Sequence, residues 1–174
     1  MIIAPWLSTQ DTSDLRIAVV QNAMALIGVV ETPSGSNRSP MIDQMMNAVG
    51  SPLGESWCAA FVSWVNKLAG AWVPGSDAGA CGTWLEQAKA KGTFKTTSPI
   101  AGDVVLYNFD GGTDAHHCGI VCRVPGDNRL YTTEGNTTTA PNTRTGDGVY
   151  YKRRQLGQPG ILGYVPPIQT RAES

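Results

Sequence analysis

Cys58 is the residue of this sequence best placed for nucleophilic chemistry. It follows Ser56 and Trp57 and opens a stretch whose apolar residues recur at helical spacing, which predicts a helix with Cys58 in its first turn. The backbone N–H groups and the dipole at a helix start stabilise a thiolate and lower the pKa of the thiol. Position alone leaves a second interpretation open, in which Cys58 is a small core residue. A nucleophilic Cys58 also needs a base within hydrogen-bonding reach.

His116 and His117 are the two histidines available as that base, and they open a predicted strand. Successive strand residues point to opposite faces of a sheet, so only one of them can meet a given partner. A turn at residues 125–128 would align two strands so that His117 lies opposite Asn136. Glu134 then lies one diagonal away on the same face, and it or Asn136 is within reach to accept a hydrogen bond from the imidazole. A slip of one residue would put His116 on that face instead.

Core packing is the expected role of two of the other three cysteines. Strand alternation puts Cys118 and Cys122 on the face opposite His117. Four strand positions separate them by about 13 Å, which is too far for a disulfide. The sequence contains no Cys-x-x-Cys or His-x-x-x-His pair, so a zinc site is not expected. No partner is assigned to Cys81.

Helices in the first half of the chain and strands in the second are expected to position these residues. Four helices are predicted, from 13 or 14 to 28, over 40–50, over 57–69, and a shorter one around 84–88. Strands are predicted over 103–109, 116–124, 129–134 and 149–154, with 161–165 as a last short one, and 137–147 as a surface loop. This pattern predicts an α+β fold with N-terminal helices packed on a C-terminal antiparallel sheet.

Length and charge limit the classes of function. With 174 residues, 41% of them apolar, the chain is long enough for one domain with a core of its own. We expect a single domain over residues 1–168 and a flexible tail over 169–174. Thirteen basic and fourteen acidic residues give a net charge of −1, which lacks the basic excess of a nucleic-acid-binding protein. We therefore expect a monomer with neither nucleic acid nor a membrane among its partners.

The N-terminus lacks the layout of a secretory signal peptide. Residues 1–10 have no basic residue ahead of a brief apolar stretch. The longest apolar run, over 23–30, is far short of the ~20 residues that cross a bilayer. We therefore expect the protein to be made in the cytoplasm without a cleavable signal peptide.

Four short motifs contain the candidate residues and their neighbours. They are WCAAFVSW at 57–64, AGDVV at 101–105, HCGIV at 117–121 and EGN at 134–136. In order and spacing they resemble the CHAP domain, a family of cysteine, histidine-dependent amidohydrolases and peptidases. These enzymes are relatives of NlpC-type and papain-like hydrolases, and many occur in bacteriophage endolysins. The resemblance runs from about residue 23 to 164, nearly the whole chain.

The resemblance implies a papain-like or NlpC-like fold and a set of catalytic roles. Cys58 matches the family's nucleophile, His117 its base, Glu134 its acidic orienter and Asn136 a fourth polar member. The implied reaction is hydrolysis of a peptidoglycan amide through an acyl-enzyme, at either the N-acetylmuramoyl-L-alanine bond or a bond of the stem peptide or cross-bridge. Two alternatives remain open: an acyl-transfer or protein-modifying enzyme of the same fold, and a non-catalytic wall-binding or metal-binding module.

Substrate contacts and cofactors follow from the same resemblance. Trp57, Trp84 and Tyr131 are candidates for lining a groove for bacterial peptidoglycan, and core packing is the alternative role for each of them. The protein would reach the wall after release or export. Some CHAP domains bind calcium through an aspartate-rich loop ahead of the cysteine. Here residues 50–56 carry one carboxylate, Glu55, whereas calcium takes six to eight oxygen ligands. We therefore expect no metal and no cofactor.

Overall fold

The computed structural model describes residues 7–139 and 146–170, with side chains described from residue 13 onward. Helices fill the first half of the chain and strands the second, which confirms the predicted α+β class. The helices are α1 (Leu7–Ala25), α2 (Pro40–Ala48), α3 (Cys58–Ala69) and α4 (Cys81–Ala90), and the strands are β1 (Val104–Tyr107), β2 (His117–Arg123), β3 (Arg129–Thr137), β4 (Gly148–Gln155) and β5 (Ile161–Val165).

The helix starts agree with the sequence for α2 but differ for α1. Ser39 caps α2, since its Oγ accepts a hydrogen bond from the backbone N–H of Ile42 at 3.2 Å, and Pro40 follows at the first helical position. The first helix begins at Leu7, so the predicted cap at Ser13 or Asp14 is wrong. Serine and aspartate are tolerated inside an amphipathic helix whose apolar face packs on a core, and capping residue types alone therefore do not locate a start.

The five strands form one antiparallel sheet in the order β4-β3-β2-β1-β5. Strands β1 to β4 pair in chain order, each antiparallel to the next, as predicted. The last strand, β5, does not extend this series but returns to the other edge, where Val165 pairs with Val104. This return buries all four residues of β1, and it places β2, the strand that begins at His117, in the middle of the sheet.

Helix α3 packs on β2 and β3 and is flanked by α1 and α2. At Gly135 of β3, a Cβ atom would lie 2.7 Å from the Cβ of Phe61 in α3 and 2.9 Å from the ring of Trp57. Only glycine permits this approach of helix to strand. The glycine of the EGN motif therefore sets how closely the helix that begins at Cys58 lies to the sheet.

Asp103, in the AGDVV motif, links three parts of the fold although its side chain is fully buried. One of its carboxylate oxygens accepts a hydrogen bond from Arg16 of α1 at 2.7 Å. The other lies 2.7 Å from Nζ of Lys95 and accepts the backbone N–H of Ile100 at 2.9 Å. A buried carboxylate needs such partners because an unpaired charge in the interior is costly. These bonds tie α1 and the segment before β1 to the sheet.

The last described residues are bound to the body of the protein. Gln169 forms a β-bridge with Ala71, and Thr170 donates hydrogen bonds from its N–H and its hydroxyl to the carbonyl of Gly70. The predicted tail over 169–174 is therefore wrong for its first two residues, and residues 171–174 lie outside the described part of the chain.

Within the described part, no helix combines the length and the apolar character needed to cross a membrane.

Candidate active site

Cys58 is the first residue of α3, and its side chain is 5% exposed. The residue before it, Trp57, makes no capping hydrogen bond from its side chain to the start of the helix. The first N–H groups of α3 therefore have no side-chain cap, and they present donors and the positive end of the helix dipole at the position of the sulfur. This confirms the predicted placement of Cys58 in the first turn.

The predicted pairing of His117 with Glu134 is present. His117 is the first residue of β2, and its Nε2 lies 3.0 Å from Oε2 of Glu134 in β3. The imidazole stacks on the ring of Tyr107, its cross-strand neighbour, with centroids 5.7 Å apart. His116 instead points to solvent with 56% of its side chain exposed, and its Nδ1 lies 3.5 Å from Asp110. Of the two histidines, the structure places His117 at the carboxylate.

The register between β2 and β3 puts His117 beside Glu134. It agrees with the prediction near these residues and departs from it near the turn that joins the two strands. Ile120 pairs with Thr133, which is the alignment expected from a turn at 125–128. Nearer the turn, however, Arg123 pairs with Tyr131, so the register shifts by one residue around Cys122. A turn at 125–128 predicts that Val124 pairs with Arg129; this pair is wrong, and a bulge restores the predicted alignment farther along the strands. Bulges leave little trace in a single sequence.

Glu134 is held by more partners than the sequence indicated. Its side chain is fully buried, and one oxygen accepts hydrogen bonds from the hydroxyls of Tyr107 at 3.0 Å and Thr132 at 2.7 Å. Arg154 of β4 donates to both carboxylate oxygens, with its Nη2 2.6 Å from the oxygen that also meets His117. Thr132 lies two residues from Glu134 on the same strand face, so alternation could have identified it. Arg154 could be identified only once β4 was paired with β3.

Charge and burial set the protonation of Glu134 and His117. Burial alone would raise the pKa of Glu134, but hydrogen bonds and charges from His117 and Arg154 outweigh it and hold that pKa well below its usual range. Burial works against the imidazolium of His117, yet hydrogen bonds and charges from Cys58 and Glu134 raise its pKa to about 10. At neutral pH, His117 is therefore an imidazolium that donates its Nε2–H to an ionised Glu134.

The pKa of the Cys58 thiol depends on two neighbouring cysteines and on His117. Hydrogen bonds from the thiols of Cys118 and Cys81 lower its pKa well below the ordinary value, and His117 adds to this effect against the opposing effect of burial. Because Nε2 of His117 is engaged by Glu134, Nδ1 is the ring atom left to face Cys58. The arrangement is a thiolate beside an imidazolium, with a carboxylate behind the ring, which is the charge distribution of an activated cysteine nucleophile.

Three buried cysteines meet at this point, which the sequence did not predict. The sulfur of Cys81 lies 3.5 Å from that of Cys58 and 3.4 Å from that of Cys118. They come from α3, α4 and β2, so no local spacing relates them. Cys118 is fully buried, as predicted, whereas Cys122 is only partly buried and lies 3.1 Å from the hydroxyl of Thr133.

Asn136 is not joined to the imidazole in the way that Glu134 is. Among the described residues, no hydrogen bond links its side chain to His117. Its backbone has a φ of 52°, and the pairing of β3 with β4 shifts between Glu134 and Thr137, so regular strand alternation ends here. The carboxylate of Glu134 is thus the group that accepts the hydrogen bond from Nε2 of His117. A catalytic role of Asn136 stays a prediction.

The predicted aromatic groove is not formed by the two tryptophans. Trp57 and Trp84 are 0% and 1% exposed, and their indole N–H groups donate to Glu31 at 3.1 Å and to Ser63 at 3.0 Å. Both are core residues, so their prediction as substrate contacts is wrong in this structure. Large aromatic side chains near a nucleophile are as suited to holding its helix as to binding substrate.

Tyr131 is partly exposed and lies on the opposite face of β3 from Glu134, by strand alternation. It stacks on Tyr151 of β4 with centroids 5.6 Å apart, beneath the guanidinium of Arg123. The structure does not bring it to the sulfur and the imidazole, and its contact with substrate stays a prediction.

Comparison with known proteins finds a matching family and similar crystal structures. The family model described as the CHAP domain matches residues 50–136, half of the chain, and this range contains Cys58, His117 and Glu134. Two crystal structures are similar, that of Ly7917 and that of Ly7917 with the hydrolyzing product of MDP, at 20% and 21% identity and TM-scores of 0.54 and 0.53. Each match covers 87% of this chain and 62% of the other. No curated protein matches the chain. The structural similarity supports an α+β papain-like fold.

Proposed function

The chain belongs to the CHAP domain family and is a hydrolase, and from that premise we propose that it cleaves an amide bond of bacterial peptidoglycan with Cys58 as nucleophile. The observation that carries this proposal is the convergence of a thiolate, an imidazolium and a buried carboxylate at Cys58, His117 and Glu134. A packing cysteine has no need of an adjacent imidazole whose second nitrogen is held by an ionised acid.

The proposed mechanism follows from the protonation of the pair. The thiolate of Cys58 attacks the carbonyl carbon of the amide, and the oxyanion that forms accepts hydrogen bonds from the uncapped N–H groups at the start of α3, including that of Cys58. His117 then gives its Nδ1 proton to the departing amine, which breaks the C–N bond and leaves an acyl-enzyme. Water attacks the thioester after losing a proton to His117, and the acid product leaves with the thiolate restored.

Glu134 acts through His117 in this mechanism. Its hydrogen bond to Nε2 keeps the ring oriented and the proton to be transferred on Nδ1. The carboxylate cannot turn away, because Tyr107, Thr132 and Arg154 hold its two oxygens. Such fixed orientation is what proton transfer requires, since misplacement by about 1 Å can cost roughly 100-fold in rate.

The substrate class is proposed from the family and from the neighbouring structure. Ly7917 was crystallised with the hydrolyzing product of MDP, and we take MDP to be muramyl dipeptide, a fragment of peptidoglycan. The bond cut by this chain is then either the N-acetylmuramoyl-L-alanine amide or an amide of the stem peptide or cross-bridge. The chain spans 62% of the length of Ly7917, so delivery is a separate proposal: it acts on the wall after release, as an endolysin does, or after export.

Digestion of defined muropeptides tests the proposal and names the bond. Purified protein is incubated with muropeptides that contain intact stem peptides and cross-bridges, and mass spectrometry identifies each new amine and carboxyl end. We expect one amide class to be cut, with water as the acyl acceptor, and Cys58→Ala to leave every substrate intact. Cys122→Ala is the matched control and should retain the wild-type rate, because its sulfur is not near the imidazole.

Three results would contradict the proposal. Cleavage by Cys58→Ala at the wild-type rate would remove this sulfur from the mechanism. Products in which the acyl group is joined to an amine instead of to water would assign the chain to acyl transfer. Cleavage of protein substrates alone would assign it to protein modification.

A further inference from the structure

The three sulfurs of Cys58, Cys81 and Cys118 form a cluster with the geometry of a ligand set. They lie within 4.8 Å of one another, with two of the separations 3.5 and 3.4 Å, and all three side chains are buried. A Zn–S bond of about 2.3 Å puts the sulfurs of a tetrahedral site roughly 3.8 Å apart. Shifts of less than about 1 Å would therefore place the three sulfurs around one ion.

We propose that Cys58, Cys81 and Cys118 bind a thiophilic divalent metal ion, Zn²⁺, and that the bound ion withdraws the Cys58 sulfur from catalysis. Thiolates are the ligands that zinc prefers, and three of them from rigid elements make a site whose shape is already present before the ion arrives. The hydrolase would then have a metal-inhibited state in addition to its active state.

The electrostatic surroundings favour the negative charge of such a complex. Three thiolates and one Zn²⁺ carry a net charge of −1. Cys58 and Cys81 are the first residues of α3 and α4, and neither helix has a side-chain cap, so the positive ends of two helix dipoles meet at the sulfurs. The partial positive charges of these two helix starts offset the negative charge of the complex.

Within the described part of the chain, the three sulfurs alone make up the ligand cluster. Zinc prefers four ligands, so a water molecule is expected to complete the coordination. Because Cys58 is one of the three ligands, binding of the ion occupies the sulfur that the proposed mechanism uses as nucleophile.

Zinc binds cysteine as the thiolate, so any proton that the three sulfurs carry passes to solvent when the ion binds.

Titration with Co²⁺ tests the site without any measurement of hydrolysis. Reduced, metal-free full-length protein is titrated while absorbance is recorded, and we expect one Co²⁺ per chain with thiolate-to-cobalt charge-transfer absorption that one equivalent of Zn²⁺ displaces. Cys81→Ser should weaken binding by at least about 100-fold, because even outer partners of a metal site contribute 10- to 100-fold. Cys122→Ser is the matched control and should bind as the wild type does.

Hydrolysis supplies a second measurement, and this arm alone rests on the proposed function. Zn²⁺ should abolish muropeptide cleavage by the wild type at one equivalent, and a chelator should restore it. Cys81→Ser is compared with its own zinc-free rate, and that rate should persist at the same zinc concentration. A chain that binds Co²⁺ through these cysteines but cuts no muropeptide would contradict the proposed function and leave the metal site standing.

Three outcomes would overturn the site. They are absence of charge-transfer absorption in the wild type, absorption that survives in folded Cys81→Ser and Cys81→Ala, and absorption lost equally in Cys122→Ser. Circular dichroism and thermal unfolding establish that each variant is folded. Cys81 carries the test because its side chain is 7% exposed, whereas Cys118 is fully buried and its substitution is more disruptive.

Discussion

Glu134 is the residue on which the charge state of the candidate site depends. It is an acid without solvent contact, yet its four hydrogen-bond donors keep it ionised and therefore able to keep His117 protonated. The protonated ring in turn stabilises the thiolate of Cys58. Removal of any one member is expected to change the protonation of the other two, so single substitutions here are not independent.

The two histidines give the sharpest test at the level of the residue. His117→Ala should reduce kcat/KM for a muropeptide by at least about 1000-fold, since it removes the partner of the nucleophile. His116→Ala should stay within about twofold of wild type, because that ring is exposed and faces Asp110. Rates are measured on the same substrate after folding is checked by circular dichroism. The reverse pattern would show that β2 presents the other histidine to Cys58.

The pH dependence of kcat/KM should report the same pair. The proposed mechanism needs a Cys58 thiolate and a protonated His117, so activity should be level through neutral pH and fall as pH rises through about 10, where His117 loses its proton. Glu134→Gln removes a charge that raises the pKa of His117, so the alkaline limb should move to lower pH by at least about one pH unit. Stopped-flow hydrolysis of a fluorogenic muropeptide measures both profiles. An alkaline limb that does not move in Glu134→Gln would contradict the role given to this acid.

Among the elements, the contact of α3 with β3 determines where the nucleophile lies. The helix packs on the strand at Gly135, one residue after Glu134, so the position of the sulfur and that of the acid depend on the same short segment. Gly119 allows a comparable approach within the sheet, since a Cβ there would lie 2.6 Å from Cγ of Glu134. Two glycines thus make room for the site.

Gly135→Ala should therefore lower both stability and activity. The new methyl group would overlap Phe61 and Trp57, which should cost about 1–3 kcal/mol and displace the start of α3. Urea denaturation measures the stability, and muropeptide cleavage measures kcat. Gly82→Ala in α4 is the matched control, since a Cβ there meets nothing within 4 Å, and it should not reduce stability. Wild-type kcat in Gly135→Ala would show that this contact does not position Cys58.

At the scale of the whole molecule, the helical half and the sheet are joined by buried charge as well as by the apolar core. Arg16 and Lys95 reach Asp103 from the helix α1 and from the segment after α4. Loss of one partner should lower the free energy of unfolding more in these pairs than in a surface pair. The buried carboxylate has no water to replace the lost partner. Asp103 of the AGDVV motif therefore joins the helical layer to the sheet.

Asp103→Asn should destabilise the fold without altering the chemistry. We expect a loss of roughly 2–3 kcal/mol in the free energy of unfolding, since the buried bonds to Arg16 and Lys95 lose their charge. Asp127→Asn, which weakens the exposed pair with Arg129, is the control and should leave stability unchanged within error. Urea denaturation gives the comparison, with kcat measured on the folded fraction. Equal stability of the two variants would show that the buried pair contributes nothing.

Sequence patterns alone predicted the candidate catalytic residues and the class of fold. Helical spacing around Cys58 and strand alternation around His117 and Glu134 are local properties, so they predicted which side chains could meet once a hairpin register was assumed. The order of helices and strands likewise predicted the α+β class and the antiparallel sheet. Periodicity sufficed here because a helix start and a strand face depend on neighbouring residues.

The surroundings of those residues became known only from the packing of the folded chain. Arg154 reaches Glu134 through the pairing of β4 with β3, Cys81 reaches Cys58 through the packing of α4, and Trp57 and Trp84 are buried rather than lining a groove. These relations join residues far apart in the chain, and one sequence carries no signal for them. They arise from how whole elements pack, because burial and pairing are set by the sum of many weak contacts and not by local spacing.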